Sequence, residues 1–240
     1  MKNLILLALV SISFTTAMAQ NGKIIKDDNA QTRNLKGFHG IRVSGGIDLY
    51  LSQGPEAIAV SASTPEYREK IQTVIENGIL KIYLKNTGAH LILGFKNPKL
   101  KAYVSATSLD LLGASGGSDV FIDGVLSSNK LDINISGGSD ITGKLDVKEL
   151  SLDQSGGSDA DIAGKAETLK VEASGGSDLK AYNLIADFCD IVASGGSDAE
   201  VTVNKELSAH ASGGSDIFYQ GSGTIRDLRS SGSSSVKKRG

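Results

Sequence analysis

Six aspartates recur at nearly constant spacing in the second half of the chain, and each closes a Ser-Gly-Gly-Ser-Asp motif. Successive motifs begin 18 to 21 residues apart. If equivalent residues stack about 5 Å apart, neighbouring carboxylates repel by roughly 1 kcal/mol in water, so something must offset that repulsion. These carboxylates form the candidate ligand-binding row of the sequence: Asp119, Asp140, Asp159, Asp178, Asp198 and Asp216.

Two kinds of chemistry would relieve the repulsion in this row. Backbone N–H groups and serine hydroxyls can donate hydrogen bonds to the carboxylates, which is a structural role. Alternatively, calcium takes about six to eight oxygens, which stacked carboxylates and carbonyls could supply. The motif resembles the Gly-Gly-x-Gly-x-Asp repeat of calcium-binding proteins, although it lacks the third glycine and has about twice the period. We expect a solvated structural row, with calcium at the same aspartates as the alternative and no other cofactor.

The spacing of the motif also predicts the fold. A unit of about 19 residues cannot bury a hydrophobic core alone, so repeated units must stack on one another as a solenoid. Counted from the first Ser of the motif, positions five, three and one before it and five after it are apolar in nearly every copy. A strand places such alternate residues on one face, and Gln154 is the clear exception. The sequence therefore predicts an all-β, parallel β-helix-like solenoid with a thin interior.

Glycines mark the predicted corners of each coil. Gly124, Gly143, Gly164 and Gly221 follow the first Ser of their motif by seven to nine residues, and we expect positive φ angles there. The Gly-Gly pairs themselves are expected to continue through the strand without a turn, or to form a bulge that permits close packing of coils. The alternative is that a sugar or a partner backbone lies against this bare stripe.

The N-terminal half contains a diverged seventh copy and then a segment of another kind. Ser44-Gly45-Gly46-Ile47-Asp48 fits the repeat, with apolar residues at the inward positions on both sides. Ala57 to Ser61 alternates as a strand, Thr64-Pro65-Glu66 starts a helix, and Tyr67 to Ile75 is a short amphipathic stretch.

Two further strands are predicted before the regular coils begin. Asn77-Gly78 indicates a hairpin turn into residues 79–84, and residues 100–104 form another extended run. We interpret this whole region as a β-rich cap with a short helix, which covers the first end of the solenoid. At the other end, residues 231–235 are a copy without the Asp and are expected to form a terminal coil with a polar outer face.

Composition and the remaining reactive residues argue against several functions. The net charge is −2 with interspersed signs, which disfavours a nucleic-acid partner, and the run at 237–239 is read as a solvated basic tail. Cys189 has no partner and is expected to fill the core. His39, His90 and His210 lie far apart without a nucleophile motif beside them, so each is expected to be a lone surface histidine.

The beginning of the chain predicts export. Lys2 precedes an apolar stretch, and Ala17-Met18-Ala19 lies ahead of Gln20, as in a cleaved secretory signal. No later stretch is long and apolar enough to span a membrane as a helix. We predict a signal peptide over 1–19, a linker over 20–35, a solenoid over 36–236 (elaborated at 36–108 and regular at 109–236) and a basic tail over 237–240.

The chain resembles the bacterial family described as "putative auto-transporter adhesin, head GIN domain", whose members are common as exported proteins of Bacteroidetes. The resemblance covers roughly Leu35 to Val236 and is carried by residues 37–45, by Asn77-Gly78 with the strand to Ile82, and by the serial motifs. It implies a single-stranded right-handed β-helix-like domain, exported to the periplasm or the cell surface and associated with adhesion. It implies no catalytic residue.

The function predicted from these observations is a non-catalytic adhesion, ligand-binding or envelope scaffold protein. Its expected partner is a glycan or a cell-envelope protein, and coils that pair end to end would give oligomers. The alternatives are a carbohydrate-active enzyme, since some β-helices are polysaccharide lyases or hydrolases, and a calcium-stabilised repeat protein. An enzyme needs one asymmetric acid–base cluster, whereas the acids here recur identically in every coil.

Overall fold

The computed structural model describes residues 27–85 and 98–239. The predicted signal peptide, part of the predicted linker and His90 lie outside these residues.

The described chain is nearly all β, with sixteen strands and one short helix. The elements are β1 Gln31–Thr32, β2 Gly40–Ser44, β3 Asp48–Gln53, β4 Ala57–Ser61, α1 Pro65–Lys70, β5 Ile71–Glu76, β6 Ile79–Leu84, β7 Lys101–Ala106, β8 Leu111–Ser115, β9 Val120–Ser136, β10 Ile141–Ser155, β11 Asp159–Ala173, β12 Asp178–Ala193, β13 Asp198–Gly213, β14 Asp216–Gln220, β15 Thr224–Gly232 and β16 Ser235–Lys238.

The five long strands β9 to β13 lie side by side in parallel, each one coil beyond the last. Residues five positions after the first Ser of each motif are in register through the whole stack. This register confirms the predicted β-solenoid of about 19 residues per coil. The register partners are Val120, Ile141, Ala160, Leu179, Ala199, Ile217 and Val236.

Each coil contributes two runs of strand to the solenoid. The first part of β9 pairs with β3 and its last part pairs with β8. At the other end, the first part of β13 pairs with β14 and its last part with β15. The two runs of a coil are joined on one side by the Ser-Gly-Gly-Ser turn and on the other by a bend within the long strand.

The core lies where the alternation of the sequence predicts it. All the apolar residues assigned to the inward positions of the repeats are buried, as are Ile41, Val43, Leu49 and Leu51 of the diverged copy. Burial raises the pKa of the Cys189 thiol to about 12, as expected for a residue that fills the core. The alternation of strand residues therefore sufficed to identify the interior.

Gln154 is buried with only 2% of its surface exposed, although it is polar. Its Nε2 donates to the carbonyl of Ser158 at 3.3 Å and to that of Asp178, one coil further, at 3.1 Å. Its Oε1 has no hydrogen-bond partner. The amide thus links two coils through its nitrogen while its oxygen remains unsatisfied.

The Gly-Gly pairs do not continue a strand, so the prediction of an unturned chain there is wrong. The first glycine of each motif has a positive φ angle, for example 65° at Gly116 and 80° at Gly175, and the chain turns at this point. Since a two-residue turn preserves the inward–outward parity of the flanking strands, alternation alone could not distinguish a turn from a strand. Close packing of the coils, the other expectation for these glycines, is confirmed.

The packing at these turns is backbone against backbone. Gly176 N donates to Gly156 O at 2.8 Å, and Gly196 N donates to Gly175 O at 2.7 Å. A Cβ atom on Gly175 would lie 2.8 Å from Gly156 O, which is closer than any side chain tolerates. The first glycine of every turn is therefore required for its positive φ angle, and at Gly175, Gly195 and Gly213 it is required for the space as well.

Three of the four predicted corner glycines have positive φ angles: 80° at Gly124, 114° at Gly164 and 105° at Gly221. The prediction for Gly143 is wrong, because its φ angle lies outside the left-handed region. A Cβ atom on Gly143 would lie 2.4 Å from Ile122 Cβ. Gly143 is therefore needed for space beside the previous coil.

The second Ser of every motif is completely buried, in contrast to the exposed glycines before it. Ser197 Oγ lies 2.8 Å from Ser194 O in its own turn and 3.1 Å from Ala173 O on the preceding coil. Ser215 Oγ makes the same pair of contacts, to Ser212 O at 2.8 Å and Ala193 O at 3.0 Å. This hydroxyl both closes its turn and connects it to the coil before.

The N-terminal region extends both walls of the solenoid. β7 continues one wall in parallel from β3, and β4 and then β1 add to it in antiparallel fashion. The hairpin β5–β6 adds to the other wall through β2. Its turn lies at Asn77-Gly78 as predicted, and both residues have positive φ angles. Strand β4 lies where it was predicted, and β7 is shifted by one to two residues.

The helix of this region begins as predicted but ends early. Thr64 caps α1, and its Oγ1 accepts a hydrogen bond from Tyr67 N at 3.4 Å. The helix stops at Lys70, so the amphipathic stretch does not remain helical to Ile75. From Ile71 the chain is strand β5, because its β-branched residues pair with β6 and favour an extended backbone.

The terminal coil, formed by β15 and β16, was expected to have a polar outer face, but it also exposes apolar side chains. Ile225 and Leu228 are in register with the buried Leu207 and Ala209, yet they are 42% and 38% exposed. They are core positions of a coil that no further described strand covers. The solenoid therefore ends with apolar side chains at its surface.

We expect Ser197→Ala to lower the free energy of unfolding by about 1–3 kcal/mol, because it removes a buried hydroxyl that contacts two carbonyls. Ser155→Ala is the matched control, since Ser155 is the exposed first Ser of a motif. The control should change stability by less than about 0.5 kcal/mol. Urea denaturation of both variants measures the difference, and equal effects would contradict the bracing role of the buried hydroxyl.

Candidate functional site

The six predicted aspartates form one row on the outside of the solenoid, with at most partial burial. Asp159, Asp178, Asp198 and Asp216 are direct register partners on consecutive coils. Four of the backbone N–H groups in the row donate to the carboxylate one coil earlier. The donor–acceptor distances are 3.3 Å for Asp140 N to Asp119 Oδ1, 3.1 Å for Asp159 N to Asp140 Oδ1, 3.4 Å for Asp178 N to Asp159 Oδ1 and 3.0 Å for Asp216 N to Asp198 Oδ1.

These hydrogen bonds correspond to the structural role expected from the sequence, in which backbone N–H groups donate to the carboxylates and offset their mutual repulsion. The last coil carries Ser235 in place of the aspartate, and its hydroxyl donates to Asp216. At the first end, Asp48 of the diverged copy comes next to Asp119, because Leu49 is in register with Val120. The row therefore spans seven carboxylates and ends at a serine.

The folded state disfavours the charged form of the first two carboxylates of the row, Asp48 and Asp119. Partial burial, together with the charge of Asp140, raises the pKa of Asp119 above the usual range. Burial and the charge of Asp119 raise the pKa of Asp48, against the opposing effect of Lys101. Both shifts mean that the folded state disfavours the charged carboxylate.

No metal cluster accompanies the row in the described parts of the chain. There, no group of three or more His, Cys, Asp or Glu side chains converges closely enough to hold an ion. The aspartates supply one carboxylate per coil, and four of them already accept a backbone hydrogen bond. Calcium binding at this row remains the alternative to the expected solvated row, and experiment has to test it.

A groove of about 700 Å³ lies on another part of the surface, at the bends of three neighbouring coils. It is lined by residues 108–110, 127–130 and 146–148, with His39 beside the first of these segments. Its charged groups are mixed in sign, with Lys130 and Lys148 near Asp110 and Asp146. The groove is open, with charged side chains among apolar surface, and sequence reasoning missed it because its residues do not repeat.

The two described histidines lie at the surface as expected, but each pairs with an aspartate, so the prediction that they have no partner is wrong. His39 Nδ1 lies 2.8 Å from Asp110 Oδ1, and this carboxylate raises the pKa of His39. His210 Nε2 lies 3.1 Å from Asp227 Oδ2 on the terminal coil. The two partner carboxylates, Asp110 and Asp227, lie before the first Ser of their motif and are not part of the repeated Ser-Gly-Gly-Ser-Asp sequence. The period of that sequence therefore did not indicate either pair.

The His39 pair does not form a catalytic triad with the serines of the groove. The far side of the His39 ring packs against Gly78, where a Cβ atom would lie 2.5 Å from Nε2. Ser128 Oγ is held between Leu109 O at 2.8 Å and Lys130 O at 2.7 Å. The imidazole and the hydroxyl are thus each bound to other groups, and no hydrogen bond joins them.

An aromatic row crosses three strands near the first end of the solenoid. The rings of Tyr103, Tyr50 and Phe121 stack with centroids 5.2 Å apart, and Tyr103 donates to Asp27 at 2.8 Å. Sequence reasoning missed this row, although Tyr50 and Phe121 both lie six residues after the first Ser of a motif. Tyr103 belongs to the irregular region, where no register could be read.

Comparisons with known proteins agree on the fold. A family model described as "Putative auto-transporter adhesin, head GIN domain" matches residues 37–223. A putative adhesin from Bacteroides fragilis superposes with a TM-score of 0.80 at 20% identity, covering 88% of this chain and 96% of its own. No protein of curated function matches the chain significantly. Within residues 27–85 and 98–239, no helix is long and apolar enough to cross a membrane.

Two further solved structures share the solenoid. A putative lipid binding protein from Parabacteroides distasonis has a TM-score of 0.66 at 19% identity, covering 89% of this chain and 98% of its own. A putative adhesin from Parabacteroides merdae has a TM-score of 0.63 at 18% identity, covering 88% and 95%. At these identities the likeness concerns the fold.

We expect Asp119→Asn to stabilise the protein near neutral pH. Because the pKa of Asp119 is raised in the folded state, its contribution to stability is present below the usual pKa of 3.8 and is lost as the pH rises through the folded value. The gain from Asp119→Asn should therefore be larger at about pH 7 than at about pH 4, as measured by urea denaturation at both pH values. The exposed Asp161→Asn is the control, and destabilisation by Asp119→Asn at both pH values would contradict the expectation.

We expect the melting temperature to be the same with calcium and with a chelator, since the carboxylates of the row are spread along the solenoid and bound to backbone N–H groups. Differential scanning calorimetry of the full chain measures this. A rise with calcium that Asp159→Asn abolishes would instead establish an ion at the row.

Proposed function

The chain belongs to the family described as "Putative auto-transporter adhesin, head GIN domain", and from this premise we propose that it is an exported, non-catalytic adhesion or ligand-binding protein of the cell envelope. The export rests on the signal sequence predicted at 1–19. The ligand class that we propose is a polar polymer, and a glycan in particular. The groove over residues 108–110, 127–130 and 146–148 is its proposed binding site.

The observation that carries the non-catalytic role is the use of the repeated motif for structure. The buried serines close the turns and contact the preceding coil, as at Ser197 and Ser215. Carboxylates of the aspartate row accept backbone N–H groups from the next coil. The most repeated chemical groups of the chain therefore hold its coils in register, which favours a scaffold over an enzyme.

The groove suits a glycan by its shape and by its chemistry. It runs across three coils and so follows the solenoid axis, as an extended polymer would. Lys130 and Lys148 offer donors, and Asp110 and Asp146 offer acceptors, so hydroxyl groups and acidic groups of a sugar chain would both find partners. An open groove with such charged groups favours reversible binding of one segment of a long chain.

The alternative function for the groove is that of a polysaccharide lyase or hydrolase, which would cleave the bound glycan. Such an enzyme needs an acid and a base in different environments around one bond. In the groove, His39 is paired with Asp110 and packed on Gly78, while the hydroxyl of Ser128 is bound to two carbonyls. This arrangement supports a binding role.

The test is binding and turnover measured on one panel of immobilised polysaccharides, both acidic and neutral, by interferometry and by assays for new reducing ends and unsaturated products. We expect saturable binding of at least one polysaccharide without product release. Lys130→Glu with Lys148→Glu should weaken the binding of an acidic glycan roughly tenfold or more, because both charges lie in the groove.

The matched control is Lys144→Glu with Lys165→Glu, which changes charge equally at exposed positions outside the groove. It should leave the affinity unchanged. Release of products that is lost in His39→Ala would overturn the non-catalytic role. Binding that both lysine pairs weaken equally, or no binding across the panel, would overturn the assignment of a glycan to the groove.

A further inference from the structure

The C-terminal end of the solenoid presents an unpaired edge of two strands. β15 pairs only with β13, and β16 pairs only with β14, in the described part of the chain. In a parallel sheet, each strand directs alternate N–H and C=O groups towards either side, so those on the outer side of β15 and β16 lack a strand partner. The edge therefore offers hydrogen bonds at the spacing of a polypeptide backbone.

The same end exposes an apolar seam between its two strands. Ile225 and Leu228 are in register with the core residues of the previous coil but are 42% and 38% exposed. Val236 of β16 packs only partly against the core. A segment that added one more coil, with a strand on each wall, would cover these side chains with its own inward-facing residues.

The charge of this end is strongly one-sided, although the whole chain is nearly neutral. Residues 224–239 carry five cationic side chains and a single carboxylate, Asp227. Arg226 pairs with Glu206 on the previous coil at 3.1 Å, and Arg229 pairs with Asp227 at 2.8 Å. Lys237, Lys238 and Arg239 form no ion pair with any described residue, and the Arg239 guanidinium lies over Phe218 at 4.2 Å from the ring centroid. The five cations are Arg226, Arg229, Lys237, Lys238 and Arg239.

These three observations together indicate which kind of molecule binds at the C-terminal end. We propose that the open end formed by β15 and β16 binds an acidic segment of a partner protein, which adds to the solenoid as a further coil and pairs with β15 on one wall and, after a turn, with β16 on the other. Unpaired backbone groups at the edge would form hydrogen bonds with a polypeptide. The apolar seam favours a segment with alternate apolar side chains, and the excess of cations favours acidic residues between them.

Two other occupants fit the end less well. A second copy of this chain that docked through the same end would bring two clusters of cations into contact, and like charges at close range oppose association. A lipid surface would cover the apolar seam but would leave the backbone groups of the edge without partners, which is costly in an apolar environment. The proposal does not depend on the groove or on its ligand.

The experiment uses the full chain and a synthetic peptide of alternating valine and glutamate, with an alternating valine and lysine peptide as the control. Fluorescence anisotropy measures affinity, and amide hydrogen exchange locates the contact. We expect only the acidic peptide to bind and to slow exchange in residues 224–238. Lys237→Glu with Lys238→Glu should lower its affinity roughly tenfold or more, whereas Lys144→Glu with Lys165→Glu should not change it.

Further measurements separate strand addition from the other occupants. An acidic peptide whose alternate backbone nitrogens are methylated should lose binding, because it cannot pair with the edge. Binding that survives methylation, equal binding of the cationic peptide, or protection elsewhere in the chain would each overturn the proposal. It would also be overturned if only anionic phosphatidylglycerol vesicles bind at 224–238, or if sedimentation shows self-association through this end.

Discussion

The contact on which the whole structure depends is the stacking of one Ser-Gly-Gly-Ser turn on the next. Here the backbones approach so closely that a single added carbon on Gly175 would meet the carbonyl of Gly156. The buried hydroxyl of Ser197 then joins its own turn to the previous coil. Because this contact repeats at the same place in each coil, it fixes the register of both walls, and the aligned core and the outer aspartate row follow from it.

The interior and the repeat could be read from the sequence because both depend on alternation and period, which are local patterns. The turn at the glycines could not, since two residues in a turn leave the parity of the strands unchanged. The need for glycine at position 143 comes from Ile122 on another coil, and the end of α1 at Lys70 comes from the pairing of β5 with β6. The groove and the histidine pairs join segments that do not repeat, so no spacing pointed to them.

The surface chemistry separates into repeated and unrepeated parts. The repeated serines and aspartates are engaged between coils, and they give the solenoid its regularity. The unrepeated residues lie at the bends, where Lys130, Lys148 and Asp146 line a groove, and at the C-terminal end, where Ile225 and Leu228 are exposed. A repeated body with distinct chemistry at selected places is consistent with the binding role proposed above.

The equivalence of the internal coils has a consequence for how such a chain can change over generations. Each internal coil presents to its neighbours the same turn, the same inward positions and the same aspartate. Duplication or deletion of one genetic segment of this length would therefore create no new kind of interface. Only matched neighbours such as Gly143 with Ile122 would have to be inherited together. The length of the solenoid is a trait that evolution can adjust in steps of one coil.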